Sequence, residues 1–236
     1  MLFALSVAFF LNLSKVMVLS RSTIGALIIT AGLANTSFVG LPMIETFYGV
    51  QQVSTGILID QLGTYLVLST AGIVVASLFS SSKTSSRQVL IKISRFPPLI
   101  ALVFAFLLNS TEYPAWLAAL LHRLGDTLAP LALVSVGLQL RLDQLAGRYW
   151  QLALGLGFKL VLAPLFLTLF FVGVLAHEGT VTRVTLFEAA MGPQIGGAIV
   201  AMQYGLNAPL ITLMVGVGIT LSFLTLPLWY LALRVI

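Results

Sequence analysis

The stretch Gly32-Leu33-Ala34-Asn35-Thr36-Ser37-Phe38-Val39-Gly40-Leu41-Pro42 sets an amide, hydroxyls, glycines and a proline in the middle of an apolar run from residue 22 to residue 47. A second stretch, Glu188-Ala189-Ala190-Met191-Gly192-Pro193-Gln194-Ile195-Gly196-Gly197, does the same to the run from 181 to 203. Each proline removes a backbone donor and frees a carbonyl. In hydrocarbon, freed backbone groups are costly unless protein or a water-lined cavity satisfies them, so both interruptions should face inward. Ordinary proline-kinked helices are the plainer alternative. The glycines and amides beside each proline favour true breaks.

Overlaying the two stretches pairs Ala34 with Ala190, Gly40 with Gly196, Tyr48 with Tyr204 and Gly49 with Gly205. The identity is sparse and takes its weight from hydropathy. Each interrupted segment is flanked by an uninterrupted run on either side, and an odd number of crossings separates equivalent segments. Equivalent helices then run in opposite directions. Paired discontinuous helices in inverted halves point to the midplane site of a secondary transporter.

Composition supports a membrane setting. Of 236 residues, 59% are hydrophobic and 8% charged, and the mean hydropathy is +1.07. A water-soluble domain carries about a quarter charged residues. A crossing helix takes about 20 apolar residues, and the apolar runs fall at 1–18, 22–47, 53–79, 89–108, 115–140, 149–174, 181–203 and 208–233. The predicted class is an all-α polytopic membrane protein with eight transmembrane helices, arranged as an inverted repeat with two broken crossover helices. A spanning barrel would alternate in polarity over segments of about 10 residues, which these runs do not.

Charge sets the orientation. Lys15, Arg21, Lys83, Arg87, Lys92, Arg95, Arg141 and Arg148 fall on one side, which the positive-inside rule makes cytosolic. Glu112, His177, Glu178 and Arg183 fall opposite, and both termini then face outward; Arg234 argues mildly against this. The expected location is the plasma (cell inner) membrane, multi-pass. The first run precedes Lys15, which reverses the charge order of a signal peptide, so it reads as a retained helix. The Ser80-to-Ser86 linker is the candidate hinge. The net charge of +5 reports topology, and no nucleic-acid partner is expected. Cysteine is absent, which removes disulfides, thiolate metal sites and Cys nucleophiles.

Half-helix amino termini carry partial positive charge and unpaired N–H groups, which suits a carboxylate. Asn35, with donor and acceptor, either bonds a ligand or caps freed backbone, and Gln194 has the same two readings. The candidate binding residues are Asn35, Thr36, Ser37, Gly40, Pro42, Met191, Gly192, Pro193, Gln194, Gly196 and Gly197, with Pro42 and Pro193 keeping the half-helices apart. Intramembrane ionisable groups are functional candidates by default. Asp60, Asp126, Lys159 and Glu188 qualify. Lys159 lies about 16 Å along its helix from Arg148 and needs an acidic partner or a substrate. A pair with Asp60 or Glu188 could simply fix helix contacts, and a buried carboxylate could carry a coupling proton. Arg123 and Asp126 should bond locally. His122 reads as a wetted tip, and Trp116, Trp150 and Trp229 as interfacial aromatics.

The sequence resembles the auxin efflux carrier and malate permease family, within the bile acid, arsenite and riboflavin transporter superfamily. The matching stretches are Asn35 to Pro42 with Tyr48-Gly49, Pro97 to Ala101, Ala129 to Leu140, Lys159 with Ala163-Pro164-Leu165, and Glu188 to Pro193 through Tyr204-Gly205. The resemblance implies ten helices in two inverted five-helix repeats, the fourth and ninth broken and crossing near the substrate. Against that pattern Met1 stands at the third helix, and the first repeat lacks its opening pair. The chain is then a fragment, or a homodimer or partner supplies the missing scaffold. Residues 1–80 and 148–236 would form the two parts of the core, and 88–140 a partial scaffold.

An enzyme is not expected: His177-Glu178 lacks the second histidine of a zinc helix, and no GxSxG elbow occurs. A channel and a regulatory, non-transporting subunit are the alternatives. The reading is a secondary carrier of small organic anions, malate-like or auxin-like, with Asp60, Lys159 and Glu188 as electrostatic support. No cofactor is expected, and the coupling ion would be H+ or Na+.

Overall fold

A computed structural model describes residues 1–80, 90–91, 94–95, 97–108, 112–139, 145 and 147–235. Lys83, Arg87, Lys92 and Arg141, and the serine linker beyond Ser80, lie outside the described residues. The chain begins with α1 Leu2–Leu13, α2 Arg21–Gly32, and a π-helical turn Thr36–Gly40 that continues as α3 Leu41–Tyr48. Then come α4 Val50–Phe79, α5 Pro97–Leu107 and α6 Ala115–Gln139. The last are α7 Tyr149–Val174, α8 Thr180–Ala189, α9 Ile195–Gln203 and α10 Ala208–Leu233. Among the described residues there is no strand, as continuous apolar runs require.

Helices α4, α7 and α10 are each long and apolar enough to cross a membrane. α1 is shorter than the 1–18 run predicts. It ends at Leu13, where Ser14 Oγ donates back to Leu11 O at 2.8 Å and Lys15 Nζ donates to Asn12 Oδ1 at 3.0 Å. These local bonds compete with helix continuation.

The first interruption falls at the amide. α2 stops at Gly32, Leu33 is extended, and Asn35 caps the next half-helix by accepting from Phe38 N at 3.2 Å. In the second, α8 stops at Ala189 and Gln194 is extended ahead of α9. Pro42 departs from expectation: it is exposed and sits in the first turn of α3, inside a continuous helix. The turn before it closes through wider-than-α bonds, Gly40 N to Asn35 O at 2.9 Å and Leu41 N to Thr36 O. Pro42, with no N–H, sits where the pattern returns to α and there keeps no half-helices apart.

Both second halves end alike. Gly49 after Tyr48 has φ +88°, and Gly205 after Tyr204 has φ +71°, left-handed conformations that glycine adopts without a Cβ penalty. The core forms around α2, buried from Thr23 through Gly32 and in contact with α1, α4, α7, α9 and α10. A helix apolar all round belongs in such a centre. α5 touches α4 and α6 touches α10, and their described side chains are largely exposed.

One end of the bundle is fixed by long-range bonds. Arg21 Nη2 donates to Leu78 O at 2.8 Å, Ser80 Oγ to Tyr204 O at 2.7 Å, and Asn207 Nδ2 to Thr23 Oγ1 at 3.0 Å. The start of α2, the end of α4, the end of α9 and the start of α10 therefore meet. Away from this end, Tyr48 and Tyr230 pack edge to face with ring centroids 5.3 Å apart.

Candidate functional site

The two interruptions cross and bond to each other. Asn35 N donates to Gly192 O at 2.8 Å and Gln194 N to Leu33 O at 3.1 Å, which makes Ala34 and Pro193 an antiparallel bridged pair. Backbone groups freed by one break thus satisfy those freed by the other, as burial demands. The crossing packs against α10: a Cβ on Gly192 would lie 3.1 Å from Ile219 Cα, and one on Gly218 2.6 Å from Pro193 Cδ. Met191 is fully buried, its N–H donating to Glu188 O at 3.2 Å. Gly197 packs against Leu33 and Ile29, and Gly196 faces Leu68 and the Gln194 side chain.

Buried polar groups cluster at this crossing. Asn35 is 1% exposed; its Oδ1 caps Phe38, while its Nδ2 has no partner. Gln194 Oε1, Ser69 Oγ and both carboxylate oxygens of Glu188 are likewise buried without partners. An unsatisfied buried polar group costs about 1–3 kcal/mol, so such a cluster calls for a functional explanation. Glu188 lies flat against Gly40, where a Cβ would come 2.5 Å from Oε2 and 2.7 Å from Oε1. A side chain at this position would force that carboxylate to shift.

Asp60 is 2% exposed and fully bonded: Oδ1 accepts from Thr36 Oγ1 and Ser37 Oγ, each at 2.5 Å, and Oδ2 from Gln61 Nε2 at 2.8 Å. It lies in a π-helical stretch of α4, Ile59–Tyr65. Lys159 lies in a second such stretch, Phe158–Leu162 in α7, and π-bulges recur at functional sites. Lys159 is wholly buried and donates to Ala189 O at 3.0 Å. That carbonyl is the last of α8, at the negative end of the helix dipole. The ion pair expected with Asp60 or Glu188 is not formed among the described residues. Lys159 instead bonds the carbonyl of the residue that follows Glu188.

Two cavities adjoin the crossing. One, of about 220 Å³, is lined by Ala34, Thr36, Thr64, Thr185 and Glu188 among mostly apolar neighbours. The other, of about 390 Å³, is lined by Ser37, Asp60, Gln61 and Tyr65 on one side and by Ala101 and Ala105 of α5 on the other. Of the residues singled out in the sequence, Thr36 and Glu188 line the first and Ser37 and Asp60 the second. The stretch Met191 to Gly197 lines neither and forms the crossing itself.

Sequence reasoning missed Gln61, Thr64, Tyr65 and Thr185. Gln61 beside Asp60 in an apolar run was the available signal. Asp126 bonds His122 Nδ1 at 3.1 Å, and among the described residues no ion pair with Arg123 is formed. Trp229 also departs from an interfacial role: it is half-buried and donates to Leu160 O, in the π-helical part of α7, at 2.8 Å.

Comparison with known proteins adds to this geometry. The family described as membrane transport protein matches residues 1–230. A protein named an uncharacterized transporter from Methanothermobacter thermautotrophicus is 27% identical over 208 residues, covering 88% of this chain and 67% of that one. Another uncharacterized transporter, from Methanocaldococcus jannaschii, is 27% identical over 220 residues, covering 89% of this chain and 69% of that one.

Proposed function

The chain belongs to the membrane transport protein family, and we propose that it acts as a secondary carrier of small organic anions by alternating access around the crossing of its two broken helices. The observation that carries this reading is the bridge between Ala34 and Pro193, set among the unpartnered amides of Asn35 and Gln194. Asn35 Nδ2 offers a donor to a carboxylate, and Gln194 Oε1 an acceptor to a hydroxyl. A hydroxy acid such as malate presents both. Glu188 and Lys159 supply the electrostatic support, and a proton or sodium ion the coupling.

In this reading the eight apolar segments cross the cell membrane as an inverted repeat with both termini outside. Residues 1–80 and 148–236 form the moving core, and α5 and α6 belong to the scaffold. The paired Tyr-Gly endings at 48–49 and 204–205 support the repeat.

Purified protein in liposomes, offered labelled malate, succinate, citrate and indole-3-acetate, tests the function. Saturable uptake of at least one acid, lost in Asn35→Ala, is expected. Unsaturated conductance would instead favour a channel, and no uptake of any acid a non-transporting subunit.

A further inference from the structure

Asp60 joins α4 to the turn that follows the first break. Its Oδ1 accepts two hydroxyls, and these belong to different cavities: Thr36 lines the smaller, and Ser37, with Asp60 itself, the larger. One carboxylate oxygen therefore links a residue that lines the smaller cavity to one that lines the larger. A hydroxyl can take a proton on its oxygen while releasing its own, so the hydrogen-bonded chain Thr36–Asp60–Ser37 can carry a proton from one lining residue to the other.

Among the described residues, the groups that bond Asp60 are all neutral. Gln61 and Tyr65 face it from its own helix, Thr36 and Ser37 from the crossing, and Glu188 is the ionisable group that reaches it from α8. Among the described residues, α5 brings Ala101, Leu102 and Ala105 to the cavity. No cation pairs with Asp60 among the described residues, whereas Glu188 has Lys159 acting on it. With Lys159 beside Glu188 at the end of α8, an ionised Asp60 adds a negative charge that repels the carboxylate of a substrate.

We propose that Asp60 is the proton-coupling site of this carrier: its ionised form excludes the substrate anion from the crossing, and its protonation admits it. The proposal rests on the carrier reading above. The proton reaches Asp60 through the hydroxyl facing the open cavity, binds one carboxylate oxygen, and leaves through the opposite hydroxyl once the anion has gone. Anion and proton thus travel together, one for one.

The test is proton uptake on binding, read with a pH indicator in weak buffer as malate, succinate, citrate or indole-3-acetate is added to purified protein. Wild type should take up about one proton per anion bound. Asp60→Asn should bind with none. In liposomes an inward proton gradient should then raise accumulation at least tenfold in wild type and leave Asp60→Asn unmoved. If Asp60→Asn does not fold, the double variant Thr36→Val, Ser37→Ala, which keeps the carboxylate and breaks the path, should lose the response to the gradient. Wild type binding an acid without proton uptake, uptake persisting in Asp60→Asn, or accumulation driven by sodium alone would each overturn the coupling while leaving the carrier standing. Wild type binding none of the acids would overturn both.

Discussion

The backbone N–H of Asn35 donates to the carbonyl of Gly192 at 2.8 Å, joining two residues that lie in separate halves of the chain. With the return bond from Gln194 to Leu33, it holds two interrupted helices in a fixed crossing. The side chains nearest that crossing are then constrained as strongly as its backbone, and their substitution should have separable effects.

Asn35 serves two roles through two atoms. Asn35→Ala loses the cap on Phe38 and should cost about 0.5–2 kcal/mol, together with uptake. Asn35→Asp keeps an acceptor for the cap but replaces the unpartnered amide with a charge. Because a buried unpaired charge is costly, it should melt below wild type in detergent, and it should take up no labelled acid. Thermal melts paired with uptake check this, and normal uptake in Asn35→Asp would contradict a ligand role.

Gly40→Ala should destabilise by about 1–3 kcal/mol, because the new methyl meets the Glu188 carboxylate head-on. Glu188→Ala removes the obstacle. The double variant should therefore be more stable than the sum of the singles predicts, by about 0.5 kcal/mol or more. Strict additivity in melts would show that the two side chains do not meet.

Lys159 and Glu188 are both buried, without a direct bond between them. Lys159→Met leaves the carboxylate unopposed and should cost about 3 kcal/mol. Adding Glu188→Gln should restore at least about 1 kcal/mol of this. A double variant no more stable than Lys159→Met would remove the electrostatic link.

The chain has no cysteine, so single cysteines report orientation cleanly. Val18 is fully exposed beside the basic first connection, and His177 is exposed in the connection between α7 and α8. In intact cells, an impermeant maleimide should label His177→Cys and spare Val18→Cys. The reverse pattern would invert the proposed topology.

The positions of the broken helices were legible because clustered glycine, amide and proline stand out against apolar runs. The point of breakage was less so. Pro42 marks the first interruption in sequence, yet the backbone opens at Leu33 to Asn35, where an amide side chain can replace the lost helical bonds. Hydropathy placed Asp60, Lys159 and Glu188 in the interior but could not pair them. Their partners, Thr36 and Ser37 for Asp60 and Ala189 O for Lys159, depend on the crossing and on π-helical turns that re-aim side chains. The early end of α1 likewise rests on local bonds of Ser14 and Lys15 that an apolar count does not register.

Disulfide trapping of the crossing tests the account most directly. Ala34 and Pro193 form the non-hydrogen-bonded pair of the bridge, a geometry that brings Cα atoms to about 4.5 Å, within reach of a disulfide. In membranes carrying Ala34→Cys with Pro193→Cys, mild oxidation should form an intramolecular disulfide in most of the protein and stop transport until it is reduced. Two thiols that stay free under oxidation, in protein that is folded and active, would mean that the interrupted helices do not cross.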